Sequence, residues 1–144
     1  MSRWLNSAWV LVTAVLVLTS AMAACTPSTP AAGAASAGSA NPAAKAFGGD
    51  VAKGKMLFQS KGCIACHTAA GVPGATGTIG PNLNGIGDTA KRPTLADGST
   101  NTPEHIREWI MDPNSKKPGT MMPNLGLKQD EATDLTAFLL TLTK

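Results

Sequence analysis

The sequence predicts an all-α domain of three or more short helices, with long loops wrapped around a body that its own side chains do not supply. Three observations lead there. Apolar residues recur at helical spacing in three separate segments, and no segment shows the alternation of a strand. Two connecting stretches, "TAAGVPGATGTIGPNLNGIGDTAKRPTLADGST" and "DPNSKKPGTMMPNLG", are Gly- and Pro-rich and longer than compact domains ordinarily tolerate unless they enclose something. The candidate core is thin as well, since from residue 47 onward the aromatics are Phe47, Phe58, Trp109 and Phe138. So small a core calls for a metal, a disulfide or a bound cofactor.

Residues 1–24 have the layout of an export signal: Arg3, an apolar stretch from Ala8 to Leu18, then small residues up to Cys25. The "MAAC" at its end resembles the lipobox of bacterial lipoproteins, which makes Cys25 a candidate for lipidation. Two other outcomes fit the same residues, cleavage after Ala23 or retention of Ala8–Ala24 as an anchor at the lower length limit for a membrane span. Each of the three puts the domain on the outer face of the cytoplasmic membrane, the periplasmic side. Cysteine arithmetic points to the lipid: of three Cys, Cys63 and Cys66 form a pair and Cys25 is left over. Residues 25–46 are almost wholly Ala, Gly, Ser, Thr and Pro and read as a flexible linker, with a mean reach of about 25 Å.

The folded part is expected at 47–144. Asp50 suits the cap of a first helix through "VAKGKMLFQSKG", with Val51, Gly54, Met56, Leu57 and Phe58 available for packing and Gly62 as the stop. Thr102 and Pro103 open a second helix, "NTPEHIREWIMDP", whose Ile106, Trp109 and Ile110 form a stripe and which Pro113 ends. The last helix carries Leu135, Phe138, Leu139 and Leu142, with Asp130 as its expected cap. Met56 and Met111 are read as core residues. Between residues 47 and 144 there are ten Lys and Arg against nine Asp and Glu, a net charge of +1. That leaves no basic footprint for nucleic acid.

The motif "CIACH" admits four chemistries. Zinc needs four ligands, and Cys63, Cys66, His67 and the distant His105 lack a second close pair. A redox dithiol belongs at the start of a helix, whereas here a helix ends. A disulfide across two residues is strained. Covalent haem c uses every residue of the motif: Cys63 and Cys66 for thioether bonds and His67 as an axial ligand of iron. In "PGTMMPNLG", Met121 and Met122 each offer a thioether for the sixth position, which raises the potential and suits electron transfer. His105 is read as a surface or core residue.

With these motifs in order, residues 47–144 resemble a class I c-type cytochrome. "GKMLFQSKGCIACH" has the family's glycine and aromatic, Gly54 and Phe58, ahead of the haem motif. "IGPNLNGIG" is similar to the segment whose proline carbonyl, here Pro81, accepts a hydrogen bond from the axial histidine. "MMPNLGL" resembles the ligand loop in which the methionine before proline binds iron, so the resemblance selects Met122. "DLTAFLLTL" is similar to the terminal helix that crosses the first at its glycine through Leu135 and Phe138. Within the family the nearest likeness is to the cytochrome c domain fused to subunit II of bacterial haem-copper oxidases, here without a copper domain.

The resemblance implies a one-electron carrier with a single covalent haem c, not an enzyme, and no small-molecule substrate. Its partners would be redox proteins such as a terminal oxidase or a quinol-oxidising complex, in a respiratory or photosynthetic chain. Arg92 and Trp109 are candidate hydrogen-bond donors to the haem propionates, and Trp109 also suits the core. Lys61, Lys116 and Lys117 are candidates for a cationic docking rim. Two other functions stay open: a monohaem subunit fixed within a respiratory complex, and a peroxidase or gas-binding haem with an open sixth position.

Overall fold

The computed structural model describes residues 41–143, which fold as five helices joined by loops: α1 (Pro42–Phe47), α2 (Val51–Ser60), α3 (Pro103–Met111), α4 (Pro113–Lys116) and α5 (Gln129–Leu139). A single 3-10 turn, Cys63–Ala65, follows α2. Among the described residues the β pairing amounts to two isolated bridges, Thr68 with Thr76 and Thr94 with Thr100. No helix among them is long and apolar enough to cross a membrane. Cys25 and the expected signal lie outside the described residues.

The central packing is between α2 and α5. Asp50 caps α2 by accepting from the amides of Ala52 and Lys53 at 2.9 and 3.1 Å, and its own amide donates to Asp134 on α5 at 2.7 Å. One turn on, a Cβ placed on Gly54 would lie 2.0 Å from the Asp134 carbonyl oxygen and 2.8 Å from Phe138 Cβ, so the two backbones touch and only glycine fits. The close approach lets Phe58 and Phe138 meet with ring centroids 5.6 Å apart, tilted by 59°. Such a pair contributes about 1 kcal/mol beyond the area it buries. Leu135, Leu139 and Leu140 complete this buried layer, and α3 closes on it through Ile106 and Ile110.

Three expectations need correction. Residues 42–46, read as linker, form most of α1: Asn41 accepts from the Ala43 amide at 2.9 Å and donates to the carbonyls of Leu140 and Gly87, while Ala44 is fully buried. Ala43 and Ala44 pack because small side chains let a short helix lie close to α5. Helix α5 begins one position before Asp130 and is capped through Lys128, whose amide donates to Glu131 at 2.9 Å; Asp130 lies within the first turn. Met56 is 60% exposed, because the inward side of α2 belongs to Gly54 and Phe58, whereas Met111 is half-buried against the core.

Substituting Gly54→Ala is expected to cost about 3 kcal/mol, at the upper end for overpacking, because the new methyl meets backbone that cannot rotate away. Denaturant midpoints of the haem-loaded protein measure it, and a loss below about 0.5 kcal/mol would show that the helices are not in backbone contact.

Candidate functional site

Helix α2 ends at Ser60, and the amides of Lys61 and Gly62 fold back onto the carbonyls of Leu57 and Gln59 at 2.9 and 3.2 Å. The chain then enters the 3-10 turn, where the amides of Cys66 and His67 both donate to the Cys63 carbonyl, at 3.2 and 2.9 Å. This compact turn presents Cys63, Cys66 and His67 to a single cavity of about 240 Å³. The following loop is tied beneath it: Gly80 N donates to Cys66 O at 2.8 Å, Leu83 N to Thr68 O at 2.9 Å, and the Ala70 amide to the Asn84 side chain at 2.6 Å.

Those bonds bring the Pro81 carbonyl to 2.8 Å from His67 Nδ1. A carbonyl only accepts, so Nδ1 carries the proton and donates, which leaves the metal-binding lone pair on Nε2. Gly80 makes the approach possible. A Cβ there would stand 2.5 Å from His67 Cε1 and 2.7 Å from Nδ1, so any side chain would push the ring out of place.

The cavity gathers residues far apart in sequence. Cys63, Cys66, His67, Pro81, Arg92, Trp109 and Met122 all line it, as does Met121. His105 does not; its Nδ1 donates to the Thr100 carbonyl at 2.8 Å. Trp109, on α3, gives its single N–H to Met122 Sδ at 3.2 Å rather than leaving it for a propionate. Arg92 donates to the Asn82 carbonyl at 2.8 Å and so braces the loop beside the histidine, with four of its five N–H donors beyond that bond. Apolar wall residues that the sequence reading did not single out are Ile79, Leu83, Leu95 and Leu125. Gly80 was legible only as the neighbour of Pro81 in "IGPNLNG".

None of the three candidate rim lysines lines the cavity, and two of them are paired with carboxylates. Lys61 pairs with Glu131 at 3.0 Å and Lys116 with Glu108 at 2.6 Å, while Lys117 donates to the Ala96 carbonyl at 3.2 Å. The backbone amide of Lys128, with Lys61, holds the Glu131 carboxyl below its ordinary range, and Lys116 does the same for Glu108. Both carboxylates stay ionised and both pairs persist through neutral pH.

The donor set fits a covalent haem c. Cys63 and Cys66 are unbridged thiols, and burial, with a smaller contribution from Cys66, pushes the Cys63 thiol up to about 11 despite a backbone hydrogen bond that lowers it. A thiol protonated at neutral pH is a poor exchanger of disulfides. Among the described residues no group of three or more His, Cys, Asp or Glu is placed to hold a metal ion. Two thiols, an imidazole with its Nε2 lone pair available, a thioether and apolar walls suit a flat tetrapyrrole bonded through both sulfurs.

Comparison with known proteins agrees. Residues 51–143 match the family model for cytochrome c. The chain is 36% identical over 106 residues to cytochrome c2 of Blastochloris viridis, covering 67% of this chain and 80% of that one. It is also 36% identical over 105 residues to cytochrome c2 of Agrobacterium tumefaciens, covering 64% of this chain and 91% of the relative. Likeness to cytochrome c oxidase subunit 2 of Alkalihalophilus pseudofirmus is 33% over 92 residues, only 25% of that protein. Among solved structures, SoxXA from P. pantotrophus shares the fold, with a TM-score of 0.51 at 21% identity over 67% of this chain and 83% of that one.

Proposed function

The chain belongs to the cytochrome c family, carries haem c covalently and is an electron carrier rather than an enzyme; from that premise we propose that it passes single electrons between redox proteins at the outer face of the cytoplasmic membrane, with His67 and Met122 as axial ligands. The observation that supports the ligand pair best is the convergence of His67 and Met122 on one cavity, each already held by a hydrogen bond.

The haem supplies iron that gains and loses one electron between its ferric and ferrous states. The chain's part is to keep its surroundings nearly unchanged through that cycle. Cys63 and Cys66 form the two thioether bonds. Pro81 O fixes the tautomer and plane of the His67 ring and makes it more basic. The indole N–H of Trp109 orients the Met122 thioether and draws density from its sulfur, and thioether ligation favours the reduced metal. Phe58, Ile106, Leu135 and Leu139 exclude water from the cavity wall. Arg92 has donors left for a propionate, whereas the Trp109 donor is committed to Met122.

The signal-like residues 1–24 and the leftover Cys25 support export and a lipid tether, with a terminal oxidase or a quinol-oxidising complex as the fitting class of partner. A mature N-terminus carrying lipid on Cys25 is the expected result of mass spectrometry on protein extracted from membranes. A plain peptide beginning at Ala24 would remove the tether.

For the ligand pair, the wild type is expected not to bind carbon monoxide when reduced, whereas Met122→Ala binds it. The potential of the variant should fall by on the order of 0.1 V, within the roughly 0.8 V over which axial ligands set haem potentials. Optical spectra with and without the gas decide the matter. Ready binding by the wild type, with an unchanged variant, would leave the sixth position open and favour a gas-binding or peroxidase reading.

A further inference from the structure

We propose that Asn101 is a positioning residue for electron transfer: it anchors the backbone of Arg92 from behind the cavity wall, so that the Arg92 guanidinium stays beside the haem carboxylates and raises the potential. The inference rests on the reading of Arg92 as a propionate donor and adds what keeps that donor in place.

Asn101 does not itself line the cavity, but both residues on its side chain do. It is 2% exposed, a position that asparagine seldom takes. Nδ2 gives one hydrogen to Ile86 O at 2.9 Å and the other to Arg92 O at 2.8 Å, while the Asn101 amide donates to Pro93 O at 2.8 Å. With the side-chain oxygen and nitrogen exchanged, the oxygen would face two carbonyl oxygens, which fixes the orientation of the amide. Oδ1, at its other edge, is buried with no partner among the described residues. An unmet acceptor in the core is unfavourable. The presence of an amide here is therefore accounted for by its donors, which close the 86–93 loop at its base.

Arg92 is thereby held at root and tip. Its amide donates to Asp88 O at 2.9 Å, its carbonyl accepts from Asn101, and its guanidinium rests on Asn82 O at 2.8 Å. The neighbouring Lys91 pairs with Asp88 at 3.0 Å, whereas Arg92, half-buried, makes no ion pair among the described residues. A half-buried cation on a cavity wall calls for an anion, and a haem brings two carboxylates. A positive charge at that place offsets theirs and favours the reduced iron. Released at its root, so long a side chain gains rotamer freedom and water, and the carboxylate charge then favours the ferric state.

Reduction potentials of the haem-loaded full chain test this as a double-mutant cycle. Asn101→Leu, close in size but without donors, should lower the redox equilibrium constant at least about threefold, or about 28 mV at 59 mV per tenfold for one electron. Arg92→Gln should lower it by at least as much. The double variant should match Arg92→Gln alone, since Asn101 acts through Arg92. If Asn101→Leu does not take up haem, Asn101→Ser, which keeps one donor, should show the same drop and the same dependence on Arg92. As a readout apart from electron transfer, the Arg92 guanidinium N–H signals in NMR of the reduced protein should exchange with water at least about tenfold faster in the Asn101 variant. An Asn101 variant of unchanged potential, an unchanged Arg92→Gln, additive effects in the double variant, or guanidinium exchange indifferent to Asn101 would each overturn the proposal. A protein that small reagents cannot reversibly reduce and oxidise would overturn the carrier reading itself, and the proposal with it.

Discussion

The contact between the backbones of α2 and α5 at Gly54 is the constraint on which the rest of the structure depends. With no side chain between the helices, the Asp134 carbonyl and Phe138 come against α2 directly, and Phe58 and Phe138 can touch. The same crossing fixes both sides of the site. Helix α2 delivers the turn bearing Cys63, Cys66 and His67, and α5 supplies Leu135 and Leu139 to the cavity wall. The Asp50 amide bound to Asp134 and the ion pair of Lys61 with Glu131 fasten the two ends of that crossing. A domain with few large side chains thus concentrates its packing in one place and leaves a cavity beside it, where a haem completes the core.

Rigidity matters here because electron transfer is cheapest when little moves. The two candidate axial side chains are each held by a hydrogen bond to a residue outside the proposed ligand pair. Pro81 holds His67 from a loop that Gly80 lets pass beneath the ring, and Trp109 holds Met122 from a helix whose Ile106 and Ile110 are in the core. The first ties the loop back to the segment just after the 3-10 turn and the second ties a loop to a helix, so the Gly- and Pro-rich stretches are fastened where function needs them fixed. Charge follows a different plan: Lys61 pairs with Glu131 and Lys116 with Glu108, while Ile79 and Met121 on the cavity lining are exposed.

Much of this was legible in the sequence because it is local. Asp50 and Thr102 cap the helices they precede, "CIACH" encodes the anchor in five residues, and "IGPNLNG" and "MMPNLG" mark the loops that reach the histidine and the cavity. What escaped depends on contacts made across the fold. The ion pairs of Lys61 and Lys116 involve partners 70 and 8 residues away, so their sequence neighbourhoods suggested free cations. Trp109 was a candidate propionate donor or core residue, and only the tertiary arrangement assigned its N–H to Met122. Ala44 carries no hydrophobic signal worth the name, yet smallness is what buries it against α5. Met56 kept helical spacing with the core residues but lost its place to the side of α2 that Gly54 brings closest.

The central claim is that Cys63 and Cys66 are spent on one haem, which the surrounding residues are arranged to hold. Intact-mass measurement of the protein purified from cells, after exposure to an alkylating reagent under denaturing conditions, tests it most directly. The account predicts a chain heavier by one haem, with neither Cys63 nor Cys66 alkylated. A chain without added haem and with both thiols alkylated would contradict it.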